Sequence, residues 1–238
     1  MNIHQVIAKE LSIKPSQVDA TVKLIDEGNT IPFIARYRKE VTGSLNDEVL
    51  RNLYERLQYL RGLEERREAI LNSIEEQGVM TEELRTRIQA AETMVALEDL
   101  YRPYKPKRKT RASVAKEKGL EPLATTILLQ NAKQDLLVDA AAYVSEEKDV
   151  KTPEEALQGA MDILAEQISD DADHRTWIRE KTVKDGTLSS EAKDKEAESV
   201  YEMYYEYIEP VKKVAGHRVL ALNRGEKEKV LTVKVNAP

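Results

Sequence analysis

The sequence contains no cysteine and very few large aromatic residues. Its 238 residues include one Phe and one Trp, and no apolar run approaches the ~18 residues that a membrane-spanning helix needs. The lack of cysteine excludes disulfides, thiolate zinc sites and cysteine nucleophiles. The first segment, MNIHQVIAKELSIKPSQ, lacks the basic region and apolar core of a signal peptide. We therefore expect a soluble, cytoplasmic protein that has no membrane partner.

The composition favours a mainly α protein. Charged residues make up 34% of the chain, apolar residues 41%, and the net charge is −6. With so few large aromatics, the core must be filled by Leu, Ile, Val and Ala. Such a composition is typical of packed helices with solvated outer faces. We therefore predict a multi-helix assembly.

Three short helices are predicted at the N-terminus. The first has apolar residues at helical spacing, namely Ile3, Val6, Ile7 and Leu11. Ser16 and Asp19 resemble a capping box that opens a second helix, which Gly28 ends. Pro32 suits the first turn of a third helix, in IPFIARYRKE. These helices predict either a helix-turn-helix-like unit or a plain three-helix packing.

One long helix is predicted over residues 46–77, because apolar residues step by three and four along it. The members of this stripe are Leu50, Leu53, Leu57, Leu60, Leu63, Ile70 and Ile74. Gly78 ends the helix and Thr81 begins another, followed by TMVALEDLY. Residues 121–185 predict further helices, with Thr152, Pro153 and Glu155 marking one N-terminus.

The C-terminal segment has a different pattern. A helix near residues 192–207 is predicted to end in the tyrosine-rich YEMYYEY. RVLALNRGEKEKVLTVKV then alternates with period two, which predicts a short β-hairpin around residues 223–227. The sequence thus divides into a helical region, residues 1–207, and a β-hairpin segment, residues 208–238.

The sequence gives little sign of catalytic chemistry. It contains neither the Walker A pattern nor G-x-G-x-x-G, and the histidines at positions 4, 174 and 217 are far apart. SDDADH, residues 169–174, gathers three carboxylates and an imidazole, which suit either helix capping or a divalent ion. Capping is favoured, so we predict no enzyme, no metal site and no cofactor.

The densest positive charge in this acidic chain lies between Arg102 and Lys118, a segment called here the basic stretch. It holds eight Lys and Arg residues and one Glu, so its local charge is +7. Its prolines predict an extended connection that leads to a helix from Arg111 to Gly119. Lys and Arg side chains contact phosphates, and aromatic rings stack on unpaired bases, so such a segment suits nucleic-acid binding. The candidate nucleic-acid contacts are Tyr101, Arg102, Tyr104, Lys105, Lys107, Arg108, Lys109, Arg111, Lys116 and Lys118.

Other interpretations of these charges remain open. Residues 139–175 carry eleven acidic and three basic residues, a local charge of −8, with which the basic stretch pairs in the simplest alternative. Weaker nucleic-acid candidates are Arg36, Arg38 and Lys39, whose alternative is pairing with nearby carboxylates. Arg224, in the predicted hairpin turn, is a further candidate, with a domain contact as its alternative.

Several long strings resemble the N-terminal part of the bacterial Tex family of transcription accessory proteins. They are DEGNTIPFIARYRKEVTG, ERLQYLRGLEERREAIL, SIEEQG, LEDLYRPYKPKRKTRASVAKEKGLEPLA and HRVLALNRGEKEKVL. The resemblance runs from about Val18 to the C-terminus. The family is similar to a eukaryotic transcription elongation factor that also handles histones.

The resemblance implies a longer protein, in which a ribonuclease-H-like domain, helix-hairpin-helix motifs and an OB-fold RNA-binding module follow. On this basis we expect the chain to be a fragment that carries the N-terminal helical region. The implied function is a non-catalytic, nucleic-acid-binding scaffold region. The implied partners are RNA or DNA, bound without sequence reading, and RNA polymerase or its associated factors. The alternative is a scaffold that docks downstream domains of its own chain or the transcription machinery.

Overall fold

A computed structural model describes residues 2–130 and 135–238 of the chain. These residues form two compact units, which divide between Tyr101 and Arg102. Most of the described residues are helical, and the strands form a single small sheet. The predicted mainly α class is therefore confirmed. Within the described ranges, no helix is both long enough and apolar enough to cross a bilayer.

The first unit is built around one long helix. Its helices are α1 Ile3–Glu10, α2 Pro15–Asp26, α3 Ile31–Tyr37, α4 Lys39–Thr42, α5 Asp47–Glu76, α6 Glu82–Ala90 and α7 Met94–Tyr101. The 30 residues of α5 span about 45 Å. All seven members of the predicted apolar stripe of α5 are fully buried. Helices α1, α2 and α3 pack against α5, so the three predicted N-terminal helices are confirmed, while their helix-turn-helix role stays a prediction.

Turn and cap residues set the helix ends much as the sequence predicts. Gly28 and Gly78 adopt positive φ values of 86° and 69° just after α2 and α5, where residues with a Cβ are disfavoured. The Thr81 hydroxyl accepts a hydrogen bond from the Leu84 amide at the start of α6. The second helix departs from prediction, because it begins at Pro15 and the Gln17 side chain accepts from the Lys14 amide.

The second unit combines a helical part with a small sheet. Its elements are α8 Arg111–Glu117, α9 Glu121–Leu128, α10 Leu136–Ala141, α11 Pro153–Asp170, α12 Ala172–Asp185, β1 Thr187–Ala192, β2 Glu206–Pro210, α13 Gly216–Lys227 and β3 Leu231–Asn236. Residues 131–134, within the range predicted to hold further helices, lie outside the described residues. The Thr152 hydroxyl accepts from the Glu155 amide, which confirms the predicted start of α11.

The predicted C-terminal β-hairpin is wrong. Residues 216–227 form helix α13, and β3 pairs with β1 rather than with residues 218–222. The sheet is antiparallel in the order β2-β1-β3. The alternating pattern of Leu, Ala, Arg, Glu and Lys in this segment misled the prediction, because these residues are good helix formers and short apolar runs fit either structure. The predicted boundary at 207/208 falls inside β2.

The helix predicted near residues 192–207 is also wrong. Residues 193–205 are a loop that contains the 3₁₀ turn Glu202–Tyr204, and the ends of the predicted range belong to β1 and β2. Tyr201 and Tyr204 are buried and pack with Leu222 of α13 and Leu231 of β3. Tyrosines of YEMYYEY therefore help to fill a small core formed with α13 and β3.

Gly159 allows α8 and α11 to approach closely. A Cβ at this position would lie 2.4 Å from Leu120 Cδ1 and 3.3 Å from Ala115 Cβ, and Leu120 is fully buried, so its side chain would have to shift within the core. We expect Gly159→Ala to lower the free energy of unfolding of the second unit by about 1–2 kcal/mol. Chemical denaturation followed by Trp177 fluorescence measures this loss. Gly216→Ala is the control, because no atom lies within 4 Å of its added Cβ; equal stability of the two variants would contradict the packing argument.

Candidate nucleic-acid interface

The basic stretch begins as a short turn and continues without regular structure. Residues Arg102–Tyr104 form one 3₁₀ turn, residues 105–110 run as an irregular surface segment, and α8 begins at Arg111. The Thr110 hydroxyl caps α8 by accepting from the Ser113 amide at 3.0 Å. The predicted extended connection followed by a helix is therefore confirmed for residues 105–117.

Three carboxylates on one face of α11 lie beside the basic stretch. Asp162, Glu166 and Asp170 are spaced four residues apart, so they form a row along the helix, called here the acidic ridge. Their side chains are largely buried, with exposed fractions of 16%, 25% and 10%. The ridge presents a line of negative charge to the cations of the basic stretch.

The basic stretch runs antiparallel to the acidic ridge. Arg102 Nε donates to Asp170 Oδ1 at 2.8 Å, and Lys107 Nζ contacts both Asp170 and, at 3.5 Å, Glu166. Further along, Arg111 Nε lies 3.8 Å from Asp162 Oδ1. The earlier alternative, in which the basic stretch pairs with the acidic region of its own chain, therefore holds for Arg102 and Lys107.

Four other cations of the basic stretch lie mostly in solvent and are called here the outer cations: Lys105, Arg108, Lys109 and Arg111, of which Arg111 also makes the 3.8 Å contact with Asp162 of the ridge. All four are exposed, Arg111 by 87%. Among the described residues, no ion pair or hydrogen bond joins Lys105 or Arg108 to a partner. Lys109 lies 3.9 Å from Glu117, a loose contact between two exposed side chains. Such surface contacts hold a cation weakly.

The two remaining lysines of the basic stretch lie on or just after α8. Lys116 Nζ is 3.8 Å from Glu121, and Lys118 Nζ donates to the backbone carbonyl and the carboxylate of Asp149 at 2.6 Å and 3.1 Å. The hydrogen bond from Lys118, together with the charges of Lys118 and Lys151, lowers the pKa of the Asp149 carboxyl. Lys118 is therefore a structural contact as well as a charge on the surface.

A cavity of about 560 Å³ opens beside α8. Its apolar lining includes Val114, Leu120 and Val150, and its charged lining includes Lys109 and Lys151 together with the acidic residues 149, 155 and 162. Lys151 was not among the sequence candidates, since it lies in the acidic region and its proximity depends on the packing of α8 against α11. The lining combines charges of both signs, so it does not single out an anionic ligand.

The two tyrosine candidates do not share the exposure of the outer cations. Tyr101 is the last residue of α7 and belongs to the first unit, where it is buried, with its hydroxyl 3.1 Å from Ser73 Oγ. The Arg66 guanidinium lies 5.3 Å from its ring centroid. Tyr104 is half-buried at the end of the 3₁₀ turn. Tyr101 is therefore placed as a packing residue, and the basic stretch presents its cations without the predicted pair of exposed rings.

The weaker candidates lie in two other places. Arg36, Arg38 and Lys39 lie on α3 and at the start of α4 in the first unit. No ion pair with a carboxylate is found for these three among residues 2–130 and 135–238, in contrast to the pairing expected as their alternative. Arg224 is an exposed residue of helix α13, so its predicted place in a hairpin turn is wrong.

The acidic residues of SDDADH act as helix caps and ion-pair partners. Asp171 Oδ1 accepts a hydrogen bond from the His174 amide at 2.7 Å, so Asp171 caps α12 as the favoured interpretation predicts. Asp170, its neighbour, is occupied by Arg102 and Lys107. Within the part of the chain that the structure describes, no group of three His, Asp or Glu side chains has the arrangement of a metal site.

Comparisons with known proteins support the resemblance seen in the sequence. Residues 1–75 match the Tex-like protein N-terminal domain, and residues 131–238 match the Tex central region-like family. An uncharacterised Bacillus subtilis protein, YdcI, is 49% identical over 99% of this chain and 33% of its own length. The transcriptional accessory protein Tex of Neisseria gonorrhoeae is 46% identical over 98% of this chain and 31% of its own length.

A more distant relative is human. S1 RNA-binding domain-containing protein 1 of Homo sapiens is 31% identical over 98% of this chain and 24% of its own length. The chain thus spans about a third or less of the length of the curated relatives it matches. Because the two family models together cover most of the chain, at its N-terminal and C-terminal portions, the chain belongs to the Tex family.

Proposed function

We propose that this chain is a non-catalytic, nucleic-acid-binding region of a transcription accessory protein. The outer cations, Lys105, Arg108, Lys109 and Arg111, contact phosphates without reading sequence. The observation that carries this proposal is the division of the basic stretch into two sides. Arg102 and Lys107 are held on the acidic ridge, whereas the outer cations are exposed and loosely paired or unpaired.

The ridge contacts order the segment that presents the outer cations. Two anchored side chains fix the backbone along α11 on one side, and the Thr110 cap fixes it at the start of α8. A segment that is already ordered loses less conformational entropy when a ligand binds. The inner pairs therefore lower the ordering cost of phosphate binding by the outer cations, but they also keep Arg102 and Lys107 from contacting phosphates and place negative charge beside the surface.

The charge balance also supports an anionic partner. The basic stretch carries +7, and adding the three carboxylates of the acidic ridge leaves a local charge of +4 in a chain whose net charge is −6. Phosphate contacts from Lys and Arg release condensed counterions, which gives affinity that does not depend on base sequence. RNA or DNA is therefore the partner we propose for this surface.

The relatives' names are consistent with this function. One is called a transcriptional accessory protein and another is named for an S1 RNA-binding domain. None of the three relatives reported above carries the name of an enzymatic activity. We accordingly propose a transcription-associated role, with RNA polymerase or its associated factors as protein partners in the full-length protein.

Salt-dependent binding tests the outer cations directly. We expect the combined change of Lys105, Arg108 and Lys109 to Glu to flatten the dependence of log affinity on log salt by about 2 for a single strand, since each contact contributes about 0.7. Fluorescence anisotropy of a labelled oligonucleotide of about 12 nucleotides, between about 50 and 200 mM salt, measures the slope.

The matched control changes the same net charge elsewhere in the second unit. Lys184, Lys193 and Lys227 are exposed lysines outside the basic stretch, and their change to Glu is expected to leave the slope near that of the unaltered protein. If the two triple variants reduce the slope equally, the binding is diffuse and the outer cations are not the site. If the unaltered protein binds neither single strand nor duplex at low salt, the proposal fails.

A second candidate function is a protein-interaction scaffold, and one observation favours it. The second unit exposes large apolar side chains, among them Val200 at 86%, Met203 at 76% and Leu220 at 71%. Exposed apolar side chains mark a partner's site where they form a contiguous patch. Under this candidate, downstream parts of the longer protein or the transcription machinery cover these side chains, and the basic stretch docks on an acidic protein surface.

A further inference from the structure

A second surface, in the first unit, combines exposed aromatic rings with unpaired cations. It consists of Phe33, Arg36, Tyr37, Arg38 and Lys39, called here the aromatic–arginine patch, and it lies on α3, on the single residue that joins α3 to α4, and on the first residue of α4. Tyr37 is 56% exposed and Phe33 is half-buried beside it. The patch is separate from the basic stretch and rests on different observations.

The rings and guanidinium groups of the patch contact one another. The centroids of Phe33 and Tyr37, one helical turn apart, lie 5.3 Å from each other with an interplanar angle of 49°. The Arg38 guanidinium lies 5.2 Å from the Phe33 centroid, and that of Arg36 lies 5.9 Å from the Tyr37 centroid. Arg38 also donates to the Tyr37 carbonyl at 3.1 Å. These contacts order the arginines without neutralising them.

The cations of the patch have no carboxylate partner among the described residues. Neither Arg36, Arg38 nor Lys39 forms an ion pair in residues 2–130 or 135–238. Arginines elsewhere in the same unit behave differently: Arg56 pairs with Glu10 and Arg61 with Asp26, each through two hydrogen bonds. Glu40 is the acidic residue within segment 31–42, so that segment keeps a net charge of +2 in an acidic chain.

The patch is held on a rigid support. Ile34 is fully buried and fixes α3 against α5, and Thr42, at the end of α4, is also fully buried. The rings therefore project from a short helix whose opposite face is packed in the core of the first unit. A platform fixed in this way can receive a flat ligand with little rearrangement.

We propose that the aromatic–arginine patch binds single-stranded nucleic acid by stacking an unpaired base on Tyr37. Arg36, Arg38 and Lys39 lie within a few residues of this ring, where they contact the phosphates that flank the stacked base. Aromatic platforms next to a positively charged track are the recurring solution for single strands, because every base has a π-face. This site goes beyond the basic stretch and does not depend on the role proposed for it.

The geometry favours a single strand over a duplex or a protein. In a duplex the base faces are stacked on neighbouring bases, so a ring fixed on a helix surface cannot reach them. A protein partner for three unpaired cations would need a cluster of carboxylates. Such a cluster would offer no flat group to stack on the exposed ring of Tyr37. The two cases give different results in the experiment below.

Anisotropy titrations with three probes test the site. The probes are a labelled single strand of about 12 thymidines, a strand of the same length with abasic sugars, and a duplex of that length. We expect Tyr37→Ala to weaken binding of the thymidine strand by about 5- to 100-fold and to leave the abasic strand and the duplex unchanged. Tyr37→Trp is expected to restore binding. A uridine strand of the same length compares RNA with DNA.

Charge variants separate the phosphate contacts from stacking. Arg36→Gln combined with Lys39→Gln is expected to lower the single-strand salt slope by about 1.4, while Tyr37→Ala leaves the slope unchanged. Val41 is an exposed residue of α4 outside the patch, so Val41→Ala is the matched control for Tyr37→Ala and is expected to leave binding unchanged. In a Trp177→Phe background, Tyr37→Trp provides a single tryptophan whose emission falls when a base stacks on it.

Several results would overturn the inference. Unchanged affinity of Tyr37→Ala for the thymidine strand, or equal weakening of the abasic strand, would show that Tyr37 does not stack on a base. The patch would then be left as a protein-docking surface. If the triple variant of the outer cations binds normally while Tyr37→Ala does not, the proposal for the basic stretch fails and the patch stands. If Tyr37→Ala binds normally while the triple variant does not, the proposal for the patch fails and that for the basic stretch stands.

Discussion

Arg67→Ala is expected to lower the free energy of unfolding of the first unit by about 3–5 kcal/mol. Arg67 lies on α5 with a side chain that is 7% exposed. Its guanidinium donates to the backbone carbonyls of Ile88 at 2.9 Å, Gln89, and Ala91 at 2.8 Å. These carbonyls belong to the C-terminal end of α6, where the last carbonyls of a helix lack intrahelical donors; that of Ile88 also accepts from the Ala91 amide at 3.3 Å. Removal of the side chain takes the guanidinium donor from the carbonyls of Gln89 and Ala91.

The measurement is hydrogen exchange of the whole chain, combined with urea denaturation followed by far-UV circular dichroism. Amides of α6 and of the segment after it are expected to lose the most protection. Arg51→Ala is the matched control on the same helix, because Arg51 is 65% exposed and pairs with Asp47 in solvent; it should change stability by less than about 1 kcal/mol. The stability of Arg67→Lys is expected to lie between that of the unaltered protein and that of Arg67→Ala, because an ammonium group cannot span three carbonyls. Equal losses from Arg51→Ala and Arg67→Ala would refute the capping role.

The helices of the first unit were predictable because their signals are local. The stripe of α5, its glycine stop and the Thr81 cap all appear within a few residues of sequence. The buried role of Arg67 is hard to predict because it lies in EERRE, where charges of both signs are typical of a solvated helix face. Yet position 67 lies four residues after Leu63 and three before Ile70, on the buried stripe itself. An arginine at a stripe position was the available signal for a buried, carbonyl-binding role.

The sheet could not be predicted from local pattern. The central strand β1 has the sequence TLSSEA, which shows neither alternation nor β-branched enrichment. It forms because residues 206–210 and 231–236 provide hydrogen-bond partners on its two edges. These partners are distant in sequence, so their pairing depends on tertiary packing. The same limit explains why α13 was mistaken for a strand.

The sequence predicts which segment carries the positive charge, but it does not predict which of its side chains are exposed. The basic stretch was evident from its charge, but the side on which each cation lies depends on the packing of α8 and α11. The spacing of Asp162, Glu166 and Asp170 at four-residue intervals was a readable sign that one helix face would attract cations. Tyr101 ends helix α7, MVALEDLY, and is buried in the first unit together with Leu97 and Leu100 of the same helix.

Asp170→Ala is expected to destabilise the second unit and, at the same time, to strengthen its binding to nucleic acid. Asp170 is 10% exposed and accepts hydrogen bonds from both Arg102 and Lys107. We expect the free energy of unfolding to fall by about 2–3 kcal/mol, because two charge-assisted hydrogen bonds are lost. This figure already allows for solvent screening, since Arg102 is 46% exposed and Lys107 is 31% exposed. Denaturation followed by Trp177 fluorescence measures the loss. Asp162→Ala is the control on the same ridge, because its contact with Arg111 is long and solvated.

The opposite effect on binding follows from the same contacts. Without Asp170, Arg102 loses its ridge partner and Lys107 keeps the 3.5 Å contact with Glu166, so both cations become more available to phosphates, and one negative charge leaves the surface. We expect the single-strand salt slope to steepen by up to about 1.4, which is two contacts at about 0.7 each, and the affinity at about 50 mM salt to rise several-fold. A variant that is less stable yet binds more tightly cannot be explained by damage to the fold. Weaker binding by Asp170→Ala would instead mean that the ridge must hold the basic stretch in place before the outer cations can act, and an unchanged slope would place the phosphates elsewhere on the chain.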